Sequence, residues 1–156
     1  MESSRSSNSS TETILEAVCF AFIEAINARD LEAESAVWRA MSPMFRIGID
    51  HTSQNQLPAF KDPEQFLTLA QFLDSWKQLT SLMPTYHIRV LDMVTRIDAL
   101  RGVVYLNQEI HGDPEGVVTQ NFGMREFRYR VAGDRWQFTR YTAARGMGGP
   151  ILGAEK

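Results

Sequence analysis

The chain has 156 residues, 44% of them hydrophobic and 22% charged, with 16 Lys and Arg against 19 Asp and Glu for a formal charge of −3. That length suits one domain with a real core, and the acidic balance gives no global attraction for nucleic acid. Cys19 is the only cysteine, which excludes an intrachain disulfide and fits a reducing, cytoplasmic compartment. No run nears the roughly 20 apolar residues of a membrane span, so no membrane association is expected.

The chain opens "MESSRSSNSS", too poor in apolar side chains to offset its ordering entropy, and residues 1–11 are expected to form a disordered tail. The single folded domain is expected over 12–145. Thr13 and Glu16 have the spacing of a capping box, and Ile14, Val18, Phe22 and Ile26 then recur every four residues, which predicts a helix. Asp30 can cap a short second helix over 31–41, ended by Pro43. "FRIGIDH" reads as a short strand and "TSQNQLPAF" as a polar loop.

A third helix is expected from Asp62-Pro63, a cap followed by a first-turn proline, with Phe66, Leu69, Ala70, Leu73 and Trp76 as its buried stripe. From there the composition turns to Val, Ile, Tyr, Phe and Thr. Residues 86–97, 102–111, 117–131 and 135–143 read as four strands separated by the turn sequences "DALRG", "GDPEG" and "AGDR". Glycines 146, 148 and 149 with Pro150 then lead into a tail expected to be flexible over 146–156. Helices grouped ahead of an antiparallel meander predict an α+β fold with the helices on one face of the sheet.

This order, with "SPMFRIGID" as a first strand and "GDRWQFTRY" as a last hairpin, resembles the nuclear transport factor 2-like superfamily over roughly residues 13–145. The similarity is closest to scytalone dehydratase and the SnoaL-like isomerases and cyclases of fungal secondary metabolism. The resemblance implies a cone-shaped, curved antiparallel sheet wrapped around the N-terminal helices, the SnoaL-like or cystatin-like α+β barrel. It also implies a cofactor-free, metal-free isomerase, cyclase or dehydratase acting on a polycyclic polyketide- or terpenoid-type intermediate, and a homodimer. In "TYH", His87 is similar in place to a catalytic histidine of the dehydratases, and His111 lies close to a second. Arg39, in "WRAMSP", is similar in place to a pocket arginine of the isomerases. Asn27, Ile49 and Arg125 stand where the dehydratases have an aspartate, a tyrosine and an asparagine.

The residues themselves allow general acid–base work in an apolar cavity, where burial pushes a carboxyl pKa up and a histidine pKa down. The catalytic candidates are His87, Arg39, Glu109 and His111; the substrate-binding candidates are His51, Asn107, Tyr105, Arg125, Trp38, Trp76 and Met83. Phe72 and Met93 join them as possible apolar lining. In "VVYLNQEIHG", Tyr105, Asn107, Glu109 and His111 alternate with Val104, Leu106, Gln108 and Ile110. Either the first set is the polar wall of the pocket, or it is the outer face of the sheet and Gln108 is the odd polar group within. The apolar second set favours the outer-face reading.

Arg125 shares the apolar side of its strand with Phe127 and Tyr129 and must find an anion, a carbonyl or solvent. At His51, the apolar partners Ile47 and Ile49 favour an inward ring. The three histidines lie far apart in sequence, which gives no metal signature, and no glycine-rich phosphate loop follows a strand. The alternative to an enzyme is a non-catalytic small-molecule-binding or dimerisation module of the same fold.

Overall fold

The computed structural model describes residues 2–49 and 65–145. Helix α1 (Glu2–Ala28) is followed by a 3-10 turn (Ala36–Ala40), strands β1 (Met41–Ile49) and β2 (Gln65–Thr68), and helix α2 (Leu69–Leu82). Strands β3 (His87–Asp98), β4 (Arg101–His111), β5 (Val118–Arg130) and β6 (Arg135–Arg145) complete one six-stranded sheet of order β2-β1-β6-β5-β4-β3. The last four form the expected antiparallel meander; β1 joins it parallel to β6, and β2 pairs antiparallel to β1. The α+β expectation holds, with α1 over β3 and β4 and α2 over β1 and β2.

Several local expectations need correction. Helix α1 starts at Glu2, so residues 2–11 continue the helix where a disordered tail was expected. Once a helix is nucleated over a packed segment, each further residue adds a hydrogen bond at little cost, and serine tolerates this. Thr13 and Glu16 therefore lie inside the helix, and Glu16 accepts a 2.5 Å hydrogen bond from Thr95 Oγ1 on β3. The buried stripe of α1 is Leu15, Cys19, Phe22, Ile23 and Ile26, while Ile14 is exposed. The face is rotated by about one residue from the expected one.

The helix expected at 31–41 is only the 3-10 turn, since Asp30 is used otherwise. Its carbonyl accepts from Trp38 Nε1 at 3.1 Å and its carboxylate from Ser35 Oγ at 2.6 Å. Asp62-Pro63 lies outside the described residues. The helix that follows begins after Thr68, whose side chain and that of Gln71 form a true capping box. Phe66 is consequently an exposed strand residue and Ala70 is exposed, while Phe72, Leu73, Trp76 and Leu79 are buried. The segments carrying His51 and the expected 146–156 tail also lie outside the described residues.

The core is aromatic. Phe22 stacks on Trp38 at 5.3 Å, and Phe138 meets Phe22, Phe45 and Phe127 edge-on at 5.4, 5.7 and 5.5 Å. Such pairs hold offset geometries worth about 0.5–1.5 kcal/mol each beyond simple burial. The C-terminal end of α1 then sets the start of β3. Arg29 takes the left-handed conformation (φ 64°), and the Asp30 and Arg29 amides donate to Ala25 and Ile26 in a Schellman closure. Arg29 donates from its guanidinium to the Pro84 and Tyr86 carbonyls, both at 2.9 Å. Asn27 closes a two-way pair with Ile88, donating to its carbonyl at 2.8 Å and accepting from its amide at 2.9 Å. These bonds fix Tyr86 and Ile88 against the α1 stripe. No helix among the described residues is long and apolar enough to cross a membrane.

Candidate functional site

Between that pinned β3 start, the α1 stripe and the inner faces of β4, β5 and β6 lies a pocket of about 460 Å³, its open mouth included. Phe22, Ile23, Ile26, Phe72 and Ile88 contribute apolar wall. Into this wall project five side chains with hydrogen-bonding groups from the sheet and its approach, Tyr86, Gln108, Asn121, Arg125 and Tyr141, together with Trp76 from α2.

Strand pairing explains how the polar set converges. Gln108 faces Asn121 across β4 and β5, and its Nε2 donates to Asn121 Oδ1 at 3.2 Å. Arg125 faces Tyr141 across β5 and β6, and its guanidinium lies 3.9 Å from the tyrosine ring centroid. A bulge between Glu126 and Phe127 shifts the register against β6. Phe138 and Tyr141 therefore both line the pocket although they are three residues apart. Glu126 points the other way, to Arg101 and Arg128.

Three buried polar atoms around this pocket have no hydrogen-bond partner among the described residues: Arg125 Nη1, Gln108 Oε1 and Trp76 Nε1. Gln108 is only 1% exposed and Arg125 6%. No carboxylate among the described residues forms an ion pair with Arg125. Leaving such groups unpaired costs about 1–3 kcal/mol each, more for a charge, so each calls for a partner. Burial, then the neighbouring Tyr141 phenol and the Asp113 carboxylate, push the Tyr86 phenol well above 10, against a smaller opposing pull from Arg125 and Arg29. Tyr86 therefore stays a neutral phenol. Burial likewise pushes the Cys19 thiol up to about 12, which leaves it inert as a nucleophile.

No family model matches this chain, and no curated protein does. Solved structures do match. An NTF2-like protein of unknown function from Pseudomonas putida KT2440 superposes with a TM-score of 0.67 at 9% identity, over 94% of each chain. A proposed dehydratase of the NTF2-like family from Streptomyces avermitilis gives 0.62 at 14% identity, over 85% of this chain and 93% of that one. IdmH, a proposed polyketide cyclase from Streptomyces antibioticus, gives 0.55 at 14% identity, over 87% of this chain and 94% of that one. The fold is NTF2-like. At these identities the likeness is one of architecture, and the site must be judged on its own residues.

On the NTF2-like frame, the candidate residues divide between the two faces of the sheet. Arg125 and Trp76 line the pocket, and so does Phe72. His87 does not: it is exposed at the start of β3, beside His111 across the strand pair, with ring centroids 6.3 Å apart. Glu109 and His111 share that outer face, where His111 Nε2 and Arg89 Nη1 approach Glu109 Oε1 at 3.0 and 3.2 Å. The hydrogen bond from His111, followed by that from Arg89, lowers the Glu109 pKa, the reverse of what a buried general acid needs. Tyr105 is exposed, and Asn107 accepts from Gln120 at 2.8 Å on the same outer row.

Arg39 is exposed in the 3-10 turn. Trp38 is buried in the ring cluster, while Met83 and Met93 pack at the core's margin; none of the three lines the pocket. His87, Arg39, Trp38 and Met83 thus lie outside the pocket they were expected to line, and Tyr105, Asn107, Glu109 and His111, offered as site candidates, take the outer-face placement that the strand pattern favoured. The physical reason is the apolar set Val104, Leu106 and Ile110: a strand can bury only one face against the helices, and that set is the greasier. Tyr86, Asn121 and Tyr141 are pocket residues that the sequence reading missed. Among the described residues no three of His, Cys, Asp and Glu converge to hold a metal ion.

Gly123 is what leaves room for the guanidinium. A Cβ there would lie 2.6 Å from Arg125 Nη1 and 3.6 Å from Gln108 Nε2. The clash is with the far end of a flexible side chain, so the backbone need not move. Gly123→Ala is expected to keep its melting temperature within a few degrees while displacing the guanidinium, weakening an anionic ligand roughly tenfold. Calorimetric titration beside a thermal melt checks this; unchanged affinity would mean that Arg125 is not held where the pocket needs it.

Proposed function

We propose that the chain is a small-molecule enzyme of the isomerase, cyclase or dehydratase kind. Its guest is a flat, mostly apolar compound of polyketide or terpenoid character, bound with a carbonyl or anionic oxygen against Arg125. The observation that carries this reading is a buried, permanently charged guanidinium, without an ion-pair partner among the described residues, aimed into an aromatic pocket. Such a group stabilises an oxyanion or enolate most strongly where water is excluded. The undissociated Tyr86 phenol adds a second donor that stays neutral at pH 7.

The described lining contains no imidazole and no carboxylate, so this part of the pocket supplies the electrophilic half of the reaction. A proton passed from the carbon next to the carbonyl to a water at the pocket mouth leaves its electron pair on the oxygen facing Arg125. With that proton returned, the enolate is protonated at another carbon, closes on a second carbonyl whose oxygen becomes a hydroxyl, or expels a β-hydroxide that leaves as water. Substrates that enolise readily, such as 1,3-dicarbonyl compounds, suit this arrangement. The same lining also favours a second reading, in which the chain binds such a compound without turning it over.

The test is affinity for simple probes, read by quenching of tryptophan fluorescence, since Trp76 lines the pocket. Under this proposal 2-naphthoate binds at least tenfold more tightly than the uncharged 2-naphthalenemethanol. Equal affinity for the two would remove the oxyanion reading. Turnover of a linear 1,3-diketone, followed by product profiling, separates the enzyme from the binder.

A further inference from the structure

Resting on the reading of Arg125 just given, we propose that the guest also presents a hydroxyl or N–H donor to Gln108, close to the oxygen it presents to Arg125. The recognised class is then an apolar skeleton that carries a carbonyl or carboxylate and a nearby hydroxyl unable to bond to it internally, rather than a simple ketone or acid. Gln108 is the second most demanding group in the pocket. It is fully buried on β4, facing the helices, at a position whose strand neighbours Leu106 and Ile110 are buried and apolar.

In the structure the Gln108 amide pairs with the amide of Asn121. Nε2 donates to Asn121 Oδ1, its cross-strand partner, so Oε1 is the free end, and it has no donor. An amide oxygen buried without a donor is an acceptor waiting for one, and a ligand bearing a hydroxyl relieves it. Arg125 Nη1 sits close by and asks for the opposite: it lacks an acceptor. Both side chains reach the space beside Gly123, where a Cβ would lie 2.6 Å from Arg125 Nη1 and 3.6 Å from Nε2 of the Gln108 amide. A donor and an acceptor in one pocket select an acceptor and a donor on one guest. A site of this kind discriminates strongly against an analogue lacking the matching group, because the protein atom is then stranded.

The choice of probe matters, because an ortho hydroxyl would bond internally to its own carboxylate. Three compounds avoid this: 4-hydroxy-2-naphthoate, 4-methoxy-2-naphthoate and 2-naphthoate, each titrated calorimetrically against the full chain. The expected order has the hydroxy acid about tenfold tighter than both the others. In Gln108→Met the ratio of the hydroxy-acid affinity to the 2-naphthoate affinity is expected to fall to about one. If the wild-type chain binds the hydroxy acid and 2-naphthoate equally, the donor requirement is overturned and the Arg125 reading survives. If none of the three binds, both fall. If the hydroxyl advantage persists in Gln108→Met, another acceptor supplies it and the assignment to Gln108 is wrong. Should that variant not fold, the three-ligand series on the unaltered chain still decides for or against the donor.

Discussion

Arg125→Met is expected to weaken 2-naphthoate binding roughly 10- to 100-fold, the worth of one buried charge-assisted hydrogen bond. Any turnover should fall about 10²- to 10³-fold in kcat, as for the loss of one oxyanion donor. The same substitution is expected to leave the melting temperature unchanged or to raise it. That combination is the diagnostic part. Methionine fills the space of the arginine stem, and the change removes a charge whose desolvation no ion pair among the described residues offsets. The lost stacking on Tyr141 costs something in return, about 0.5–2 kcal/mol for a cation over an aromatic face. An arginine kept for the fold would show the opposite pattern, a lower melting temperature with binding intact, and that result would refute the functional assignment. Arg125→Lys should fall between the two, since the charge survives but the planar fork does not.

Why Arg125 was visible in the sequence, and its neighbours were not, follows from how strands carry information. In "MREFRYR" an arginine shares the parity of Phe127, and a guanidinium among inward-facing residues stands out without any structure. Gln108 stood out in the same way among Val104, Leu106 and Ile110. The architecture was likewise open to reading, because four runs rich in β-branched and aromatic residues, separated by turn sequences, leave few alternatives to a meander.

Tyr141 was hidden by the bulge between Glu126 and Phe127: strict alternation from Phe138 would have pointed Arg140 inward instead. Tyr86 was hidden for a different reason. It precedes β3 and is placed by the Arg29 guanidinium, 57 residues away in the chain, a contact that no local pattern encodes. His87 and His111 drew attention as titratable groups, yet parity with Tyr105 and Arg89 already put them on the wet side. Pattern reports which face a side chain is on; it does not report which face holds the chemistry.

Phe138→Ala is expected to be the most damaging single truncation among the pocket residues, costing about 3–5 kcal/mol. Against a total of about 5–15 kcal/mol for an ordinary domain, that lowers the melting temperature by roughly 6–20 °C. The reason lies in position rather than size alone. Phe138 is 1% exposed and touches Phe22 of α1, Phe45 of β1 and Phe127 of β5. Through Phe22 and Phe45 it is joined to Trp38 and Phe72, so one ring ties the sheet to both helices. Removing it leaves a void that rigid neighbours on three elements cannot collapse to fill.

The void also opens into the pocket, which Phe138 lines. A small apolar molecule such as benzene should therefore recover part of the lost stability at saturating concentration, as it does in other dry engineered cavities. Ile14→Ala, on the exposed side of α1, is the control and should shift the melt by no more than a degree or two. A Phe138→Ala chain that melts with the wild type would mean that the ring cluster does not hold the pocket walls. The unpaired guanidinium would then sit in a flexible gap that water can enter, and the electrostatic case for Arg125 would weaken with it.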